Sequence, residues 1–299
     1  MRCTAGYITL MQYVKPMLCR CGKALAIVML CASAHAQMAL PRHAPYPGGV
    51  AVVKLNAPGN QGPATAMNVT YGGHRVLTVK PGDDLFGIIG IPLDATPGTQ
   101  KLHISAAQGT LQLAYETGFE IKPKAYPTQH LKIDPRFLKL SPENQQRNER
   151  DQPLIAAAKK HWSDTPPETF TLDLPAAGRL SARFGIGRTL NGRESSPHGG
   201  LDVAVGTGTP LRAAAAGRVI ATDDYFYSGK SVWVDHGQGF ITLYIHMSRI
   251  DVNAGDSVER GTTLGLSGAT GRVTGPHLHW AVLLNGVYVD PELFLKARP

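Results

Sequence analysis

Beyond residue 36 the chain has no cysteine: Cys3, Cys19, Cys21 and Cys31 all fall before it. A chain cleaved after Ala36 holds no disulfide, no cysteine-bound metal and no thiol nucleophile. Charge is sparse too, at 17% of residues. The formal +8 includes Arg2, Lys15, Arg20 and Lys23, and without them 26 basic residues face 22 acidic ones. So small an excess, with no basic stripe, argues against a nucleic-acid partner and suits an anionic polymer or a bacterial surface. No apolar run is long enough to span a bilayer comfortably, so no stable membrane insertion is expected of the mature chain. There is no H-E-x-x-H, which removes a helix-borne glutamate as general base and leaves that task to histidine.

Glycine and proline, by contrast, are plentiful at 33 and 22 residues, which favours a turn-rich, mainly β architecture. At the N-terminus, Lys15, Arg20 and Lys23 precede an apolar run from Ala24 to Ala34, and Ala34-His35-Ala36 offers an A-x-A cleavage site. Residues 1–36 therefore predict a signal peptide, with Met17 as an alternative start, and a periplasmic product. Cys31 raises an outer-membrane lipoprotein as the alternative, but Leu30 is bulky where such a signal takes a small residue.

The remainder divides by texture. Residues 37–47 are proline-rich and extended. Residues 48–134 predict an N-terminal β-sandwich-like domain, with strands at Val50–Val53, His74–Val79, Lys101–Ser105 and Thr110–Tyr115 and Pro-Gly turns between them. Residues 135–169 read as a connector of one or two helices starting at Ser141-Pro142, whose charges form a solvated face. Residues 170–299 return to β, with a small-residue strand over Ala213–Val219 and a hairpin of Ser231–Asp235 with Phe240–Ile245 around His236-Gly237-Gln238-Gly239.

The chemistry concentrates in that last part. His277 and His279 in Gly275-Pro-His-Leu-His-Trp280 stand two apart at the start of a strand, so both imidazoles point to one face. His198-Gly199-Gly200-Leu201-Asp202 adds an imidazole and a carboxylate. Four extended residues span roughly 13 Å, too far for one ion unless the glycines bend the chain. With that bend, His198, Asp202 and one of His277/His279 make three protein ligands and leave one position open, as at a catalytic zinc. His74, His103, His130, His161 and His236 read as structural or exposed. Tyr244 shares the strand face of His246 and is either a proton donor or a packed aromatic. Arg188, Asn191 and Arg193 are either substrate-carboxylate contacts or solvated loop residues.

Several motifs occur in order: His198-Gly-Gly-Leu-Asp202, Gly208-Thr-Pro210, Ala216-Gly-Arg-Val219, Val234-Asp-His-Gly237, Tyr244-Ile-His246 and Thr274-Gly-Pro-His-Leu-His-Trp280. Together they resemble the lysostaphin/LytM-type zinc metallopeptidases, which cut peptide cross-bridges of bacterial peptidoglycan, over about residues 180–291. Pro47-Gly-Gly-Val50 and Gly90-Ile-Pro-Leu93 are similar to an N-terminal β domain of some Gram-negative members. The resemblance implies an antiparallel β-sheet peptidase domain with zinc in a groove. It assigns His198, Asp202 and His279 as zinc ligands and His246 and His277 as catalytic histidines. Met247 replaces the usual leucine, and Gly200 stands where serine or a similar residue is common.

The resemblance further implies a peptidoglycan endopeptidase, acting in a Gram-negative envelope on D-alanine–meso-diaminopimelate cross-links. Alternatives are a non-catalytic module that binds the sacculus or activates an amidase, and a general exported protease. The N-terminal domain could position the enzyme on glycan, recruit an envelope protein partner or cover the groove.

Overall fold

The fold follows from strands that bury apolar residues in three cores. It is a computed structural model that describes residues 38–55, 66–108, 111–132 and 140–296, so the expected signal peptide lies outside the described residues. Upstream, strands β1 (Val50–Lys54), β4 (Leu77–Val79) and β5 (Phe86–Gly90) form a three-stranded sheet in the order β1-β5-β4. A second sheet, ordered β3-β2-β6-β7, comprises β2 (Ala66–Tyr71), β3 (His74–Arg75), β6 (Gly98–Gln108) and β7 (Leu111–Ile121). The N-terminal part is thus a sandwich-like pair of small sheets.

The first of these sheets is buried on both faces. Ala51 and Ile89 join Val69, Leu102, Ile104 and Phe119 in one core. Val50, Leu77, Val79 and Ile88 join Leu201, Val203, Trp280 and Val282 of the downstream half in another. A strand buried on both faces loses its period-two signature, which is why Phe86-Gly-Ile-Ile-Gly90 escapes a periodicity search.

Downstream, the large sheet runs β17-β14-β15-β16-β19-β12-β9. Its strands are β9 (Arg179–Ala182), β12 (Leu201–Ala204), β14 (Gly217–Tyr225), β15 (Gly229–Gly237), β16 (Phe240–Ile250), β17 (Ser257–Val258) and β19 (Leu278–Leu284). Off that path, β13 (Pro210–Arg212) pairs with β18 (Thr263–Ser267), and β20 (Val287–Val289) pairs with β19. All the pairings in this sheet are antiparallel. The β15–β16 hairpin has the expected Gln238-Gly239 tip, with φ of 50° and 73°, the backbone a two-residue primed turn requires.

Three expectations change. Ala213–Ala216 is not strand: β14 begins at Gly217, and the alanines are spent on loop hydrogen bonds, Ala213 N to Thr262 O and Ala214 N to the Tyr244 hydroxyl. The connector holds one helix, α1 (Pro142–Lys159), capped by Ser141 Oγ accepting from Asn144 N. Its charges are not all solvated, because Asp151 is 1% exposed and accepts from Phe226 N at 2.6 Å. The third is a hairpin that was not expected, β10 (Gly187–Leu190) with β11 (Arg193–Ser195), turning at Asn191-Gly192 with φ of 52° and 80°. Asn-Gly is the strongest local signal for such a turn. On its other edge β10 pairs in parallel with β8 (Thr128–Leu131) from the upstream half. Among the described residues no helix is long and apolar enough to cross a membrane.

Side-chain amides help fasten the upstream sheet to the large one: Gln238 Oε1 accepts from Thr78 N at 2.9 Å. Buried Asn285, at the β19–β20 turn, accepts from Gly90 N at 2.7 Å and donates to Gly90 O at 3.1 Å. A Cβ at Gly90 would lie 2.8 Å from Leu284 Cβ, so glycine there permits the close approach. Asn285→Ala leaves a buried N–H and a buried C=O unpaired. It is expected to cost about 2–4 kcal/mol, read as a lower urea midpoint at unchanged slope.

Candidate metal centre

Asp202 and His279 meet because β12 and β19 pair with those two residues directly opposite each other. His198 precedes β12 and reaches the same point through a bend at Gly200. A Cβ at Gly200 would stand 2.4 Å from Trp280 O and 2.7 Å from His279 Nε2. Only glycine lets this backbone pass the His279 ring. Gly199 carries no such demand, since a Cβ there meets the Tyr288 ring at an ordinary 3.5 Å.

The three side chains converge. His198 Nε2 lies 2.9 Å from Asp202 Oδ1 and 2.9 Å from His279 Nδ1, and the last two are 2.8 Å apart. These atoms make up the group of possible metal ligands found among the described residues. The hydrogen-bond chemistry fits a cation. Arg183 O, 2.8 Å from His198 Nδ1, can only accept, so Nδ1 carries the proton and Nε2 of the neutral ring offers a lone pair. That lone pair faces a carboxylate and a second imidazole, a triangle of electron-pair donors with too few protons to bridge it. Burial alone would raise the Asp202 pKa, but the close approach of the His198 and His279 rings outweighs it and holds the carboxyl well below its usual range. Burial lowers the pKa of His279, against the pull of Asp202.

His246 and His277 complete the cluster, their ring centroids 4.9 Å apart. His277 Nδ1 donates to Gly275 O at 2.9 Å, and its Nε2 lies 3.8 Å from Asp202 Oδ1. His246 Nδ1 donates to Thr270 O at 3.0 Å, its ring centroid 6.2 Å from that of His279. In both rings the carbonyl fixes the proton on Nδ1 and leaves Nε2 as the acceptor. Burial first, then the His279 ring, brings the His246 pKa down to about 4. His246 also occupies left-handed backbone at φ 66°, a costly state for a non-glycine residue and one that concentrates at functional sites.

That backbone explains what happens to Tyr244. The β15–β16 register shifts between Val232↔Tyr244 and Lys230↔Met247, so strand alternation breaks before His246. Tyr244 is fully buried, its hydroxyl accepting from Ala214 N at 2.9 Å and from Thr242 Oγ1 at 3.1 Å. It is the packed aromatic of the two readings. Buried His236 bonds Ala216 O and Thr242 Oγ1, and His161 lies 3.4 Å from Asp235. His103 pairs with Glu116, and His130 with Thr189. Arg188, Asn191 and Arg193 belong to the β10–β11 hairpin. Sequence reasoning missed Thr270: its carbonyl orients His246, while its hydroxyl accepts from Lys230 N and donates to Met247 O. A backbone acceptor leaves no motif.

An antiparallel β domain that gathers a histidine–aspartate–histidine donor set, with two further imidazoles beside it, has the ligand chemistry of a metal-binding domain. The profile of peptidase family M23 matches residues 196–291, and that of the peptidase family M23 N-terminal domain matches residues 43–124. A Pseudomonas aeruginosa crystal structure assigned to peptidase M23 is 43% identical, with a TM-score of 0.68, and the match covers 84% of this chain and 94% of that one. The chain belongs to peptidase family M23. It is 45% identical over 91 residues to the peptidoglycan DD-endopeptidase ShyA of Vibrio cholerae, covering 30% of this chain and 21% of that protein. It is 40% identical over 94 residues to the DD-carboxypeptidase/endopeptidase Mpg of Neisseria gonorrhoeae, covering 31% and 22%. The chain thus spans about a fifth of the length of these curated relatives.

Proposed function

We propose that this chain is a zinc-dependent endopeptidase that hydrolyses peptide cross-links of peptidoglycan in the cell envelope, exported by the signal at residues 1–36. The observation that carries it is the convergence of His198 Nε2, Asp202 Oδ1 and His279 Nδ1 beside two further imidazoles. The name of ShyA, a peptidoglycan DD-endopeptidase, supports the substrate class, and the D-alanine–meso-diaminopimelate bond is the choice proposed within it. Two imidazoles and one carboxylate are the ligand types zinc prefers, with a position left for water.

In this proposal His198, Asp202 and His279 hold the metal. When bound, it supplies an acidified water and a Lewis acid for the scissile carbonyl. His277 presents Nε2 beside Asp202 and takes the proton that the water loses. His246 is neutral at neutral pH, and its conjugate acid is strong because the ring is buried. The adjacent pair therefore passes that proton on to the leaving nitrogen as the C–N bond breaks, while the hydroxyl stays on the carbonyl carbon. The carbonyls of Gly275 and Thr270 keep both rings in the tautomer this relay needs.

The test is incubation of the full chain with purified sacculi, followed by mass spectrometry of the released muropeptides. Cross-linked dimers are expected to become monomers, with activity lost to a chelator, restored by zinc, and not matched on casein. Intact dimers in the presence of zinc would leave only a binding module.

A further inference from the structure

We infer that Tyr126 is a positioning residue for His198: its ring, pressed against Gly185, fixes the backbone segment that holds the imidazole. This rests on the metal reading above and adds to it a dependence on the upstream half of the chain.

Residues 183–186 make three hydrogen bonds with His198. Arg183 O accepts from Nδ1 at 2.8 Å, Gly185 N donates to His198 O at 2.8 Å, and Ile186 O accepts from His198 N at 2.9 Å. Every polar group of His198 except Nε2 is held by this one segment, so its placement sets the direction of the Nε2 lone pair.

The other side of the segment is packed by residues from upstream. Gly185 has φ 82°, and a Cβ there would fall 2.1 Å from Tyr126 Cε1 and 2.2 Å from Cδ1. The ring occupies the space that a side chain at residue 185 would need. Beside it, Phe184 meets the Tyr126 ring edge-on at 6.4 Å. Phe184 also lies against Gly48, where a Cβ would stand 2.5 Å from its Cε1. Tyr126 is itself anchored, its hydroxyl donating to Pro47 O at 2.8 Å. The next residue, Pro127, accepts from Gly187 N at 2.9 Å, just before β8 and β10 pair. The Pro47-Gly48-Gly49 turn and Tyr126 therefore grip the segment from outside while His198 is held from inside.

Partners that orient a metal-bound histidine are worth about 10–100-fold in metal affinity. The Arg183 carbonyl cannot be deleted by substitution, but the ring that places it can. In the full chain, Tyr126→Ala and Tyr126→Leu are expected to weaken zinc binding by about tenfold, measured by competition with a chromophoric chelator. Tyr126→Phe keeps the ring and is expected to bind like the wild type. Tyr126→Leu retains apolar bulk and carries the test should the alanine variant not fold. Tyr71→Leu is the comparison: Tyr71 packs on Phe119 at 5.4 Å in the four-stranded sheet. It is expected to lower the melting temperature of the metal-free chain and leave zinc affinity unchanged. Equal zinc affinity in Tyr126→Leu and the wild type overturns the inference alone, as does an equal loss in Tyr71→Leu. A wild-type chain that binds no zinc overturns the metal reading and this inference together.

Discussion

Replacing Asp202 by alanine is expected to empty the metal site and abolish hydrolysis. The carboxylate is the only anion in the donor triangle, within 2.8–2.9 Å of both imidazoles. Its low pKa means that it stays charged across the whole physiological range. Without it two neutral rings remain, and neither coordination number nor charge suits a divalent ion. The loss of affinity is expected to exceed the about 10–100-fold typical of an outer partner. Zinc content after dialysis is the measurement, and Asp202→Asn, which keeps the shape and drops the charge, shows how much of the loss is electrostatic. An alanine variant that retains one zinc per chain would remove Asp202 from the ligand set.

Substitutions at His277 and His246 are expected to separate chemistry from metal binding. Each ring has its Nδ1 proton committed to a carbonyl, Gly275 O or Thr270 O, and neither atom belongs to the donor triangle. His277→Ala and His246→Ala are therefore expected to keep zinc and lose about 10²–10⁴ in kcat, the usual worth of a positioned acid or base. KM is expected to move little. Normal turnover in either variant would take that histidine out of the proton relay. Loss of zinc in His277→Ala would instead make it a ligand, the other member of the pair that spacing alone could not rank.

Much of the site was legible because its signals are local. His277 and His279 stand two apart, and the need for a bend between His198 and Asp202 follows from chain reach. What brings Asp202 opposite His279 is strand register, a product of tertiary pairing that no local window contains. Tyr244 and His246 show the opposite failure. Their spacing promised a shared face, but the left-handed backbone at His246 and the register shift before it rotated them apart. Asp151 was read as solvated because its neighbours are polar, yet Phe226 N and Arg150 partner it in a buried position. The strand at Phe86–Gly90 was hidden by being apolar on both faces. The parallel pairing of β8 with β10 joins segments more than fifty residues apart and leaves no pattern in either.

The strand at Phe86–Gly90 also bears on how such chains can be recombined. Ile88 faces the core of the large sheet and Ile89 faces the core of the small one. A rearrangement that transplanted only the residues after 170 would carry the three donor residues but leave Tyr126 behind, and would arrive with a bare oily wall where Val50, Leu77 and Ile88 had lain. A descendant of that kind would need a new cover for that wall.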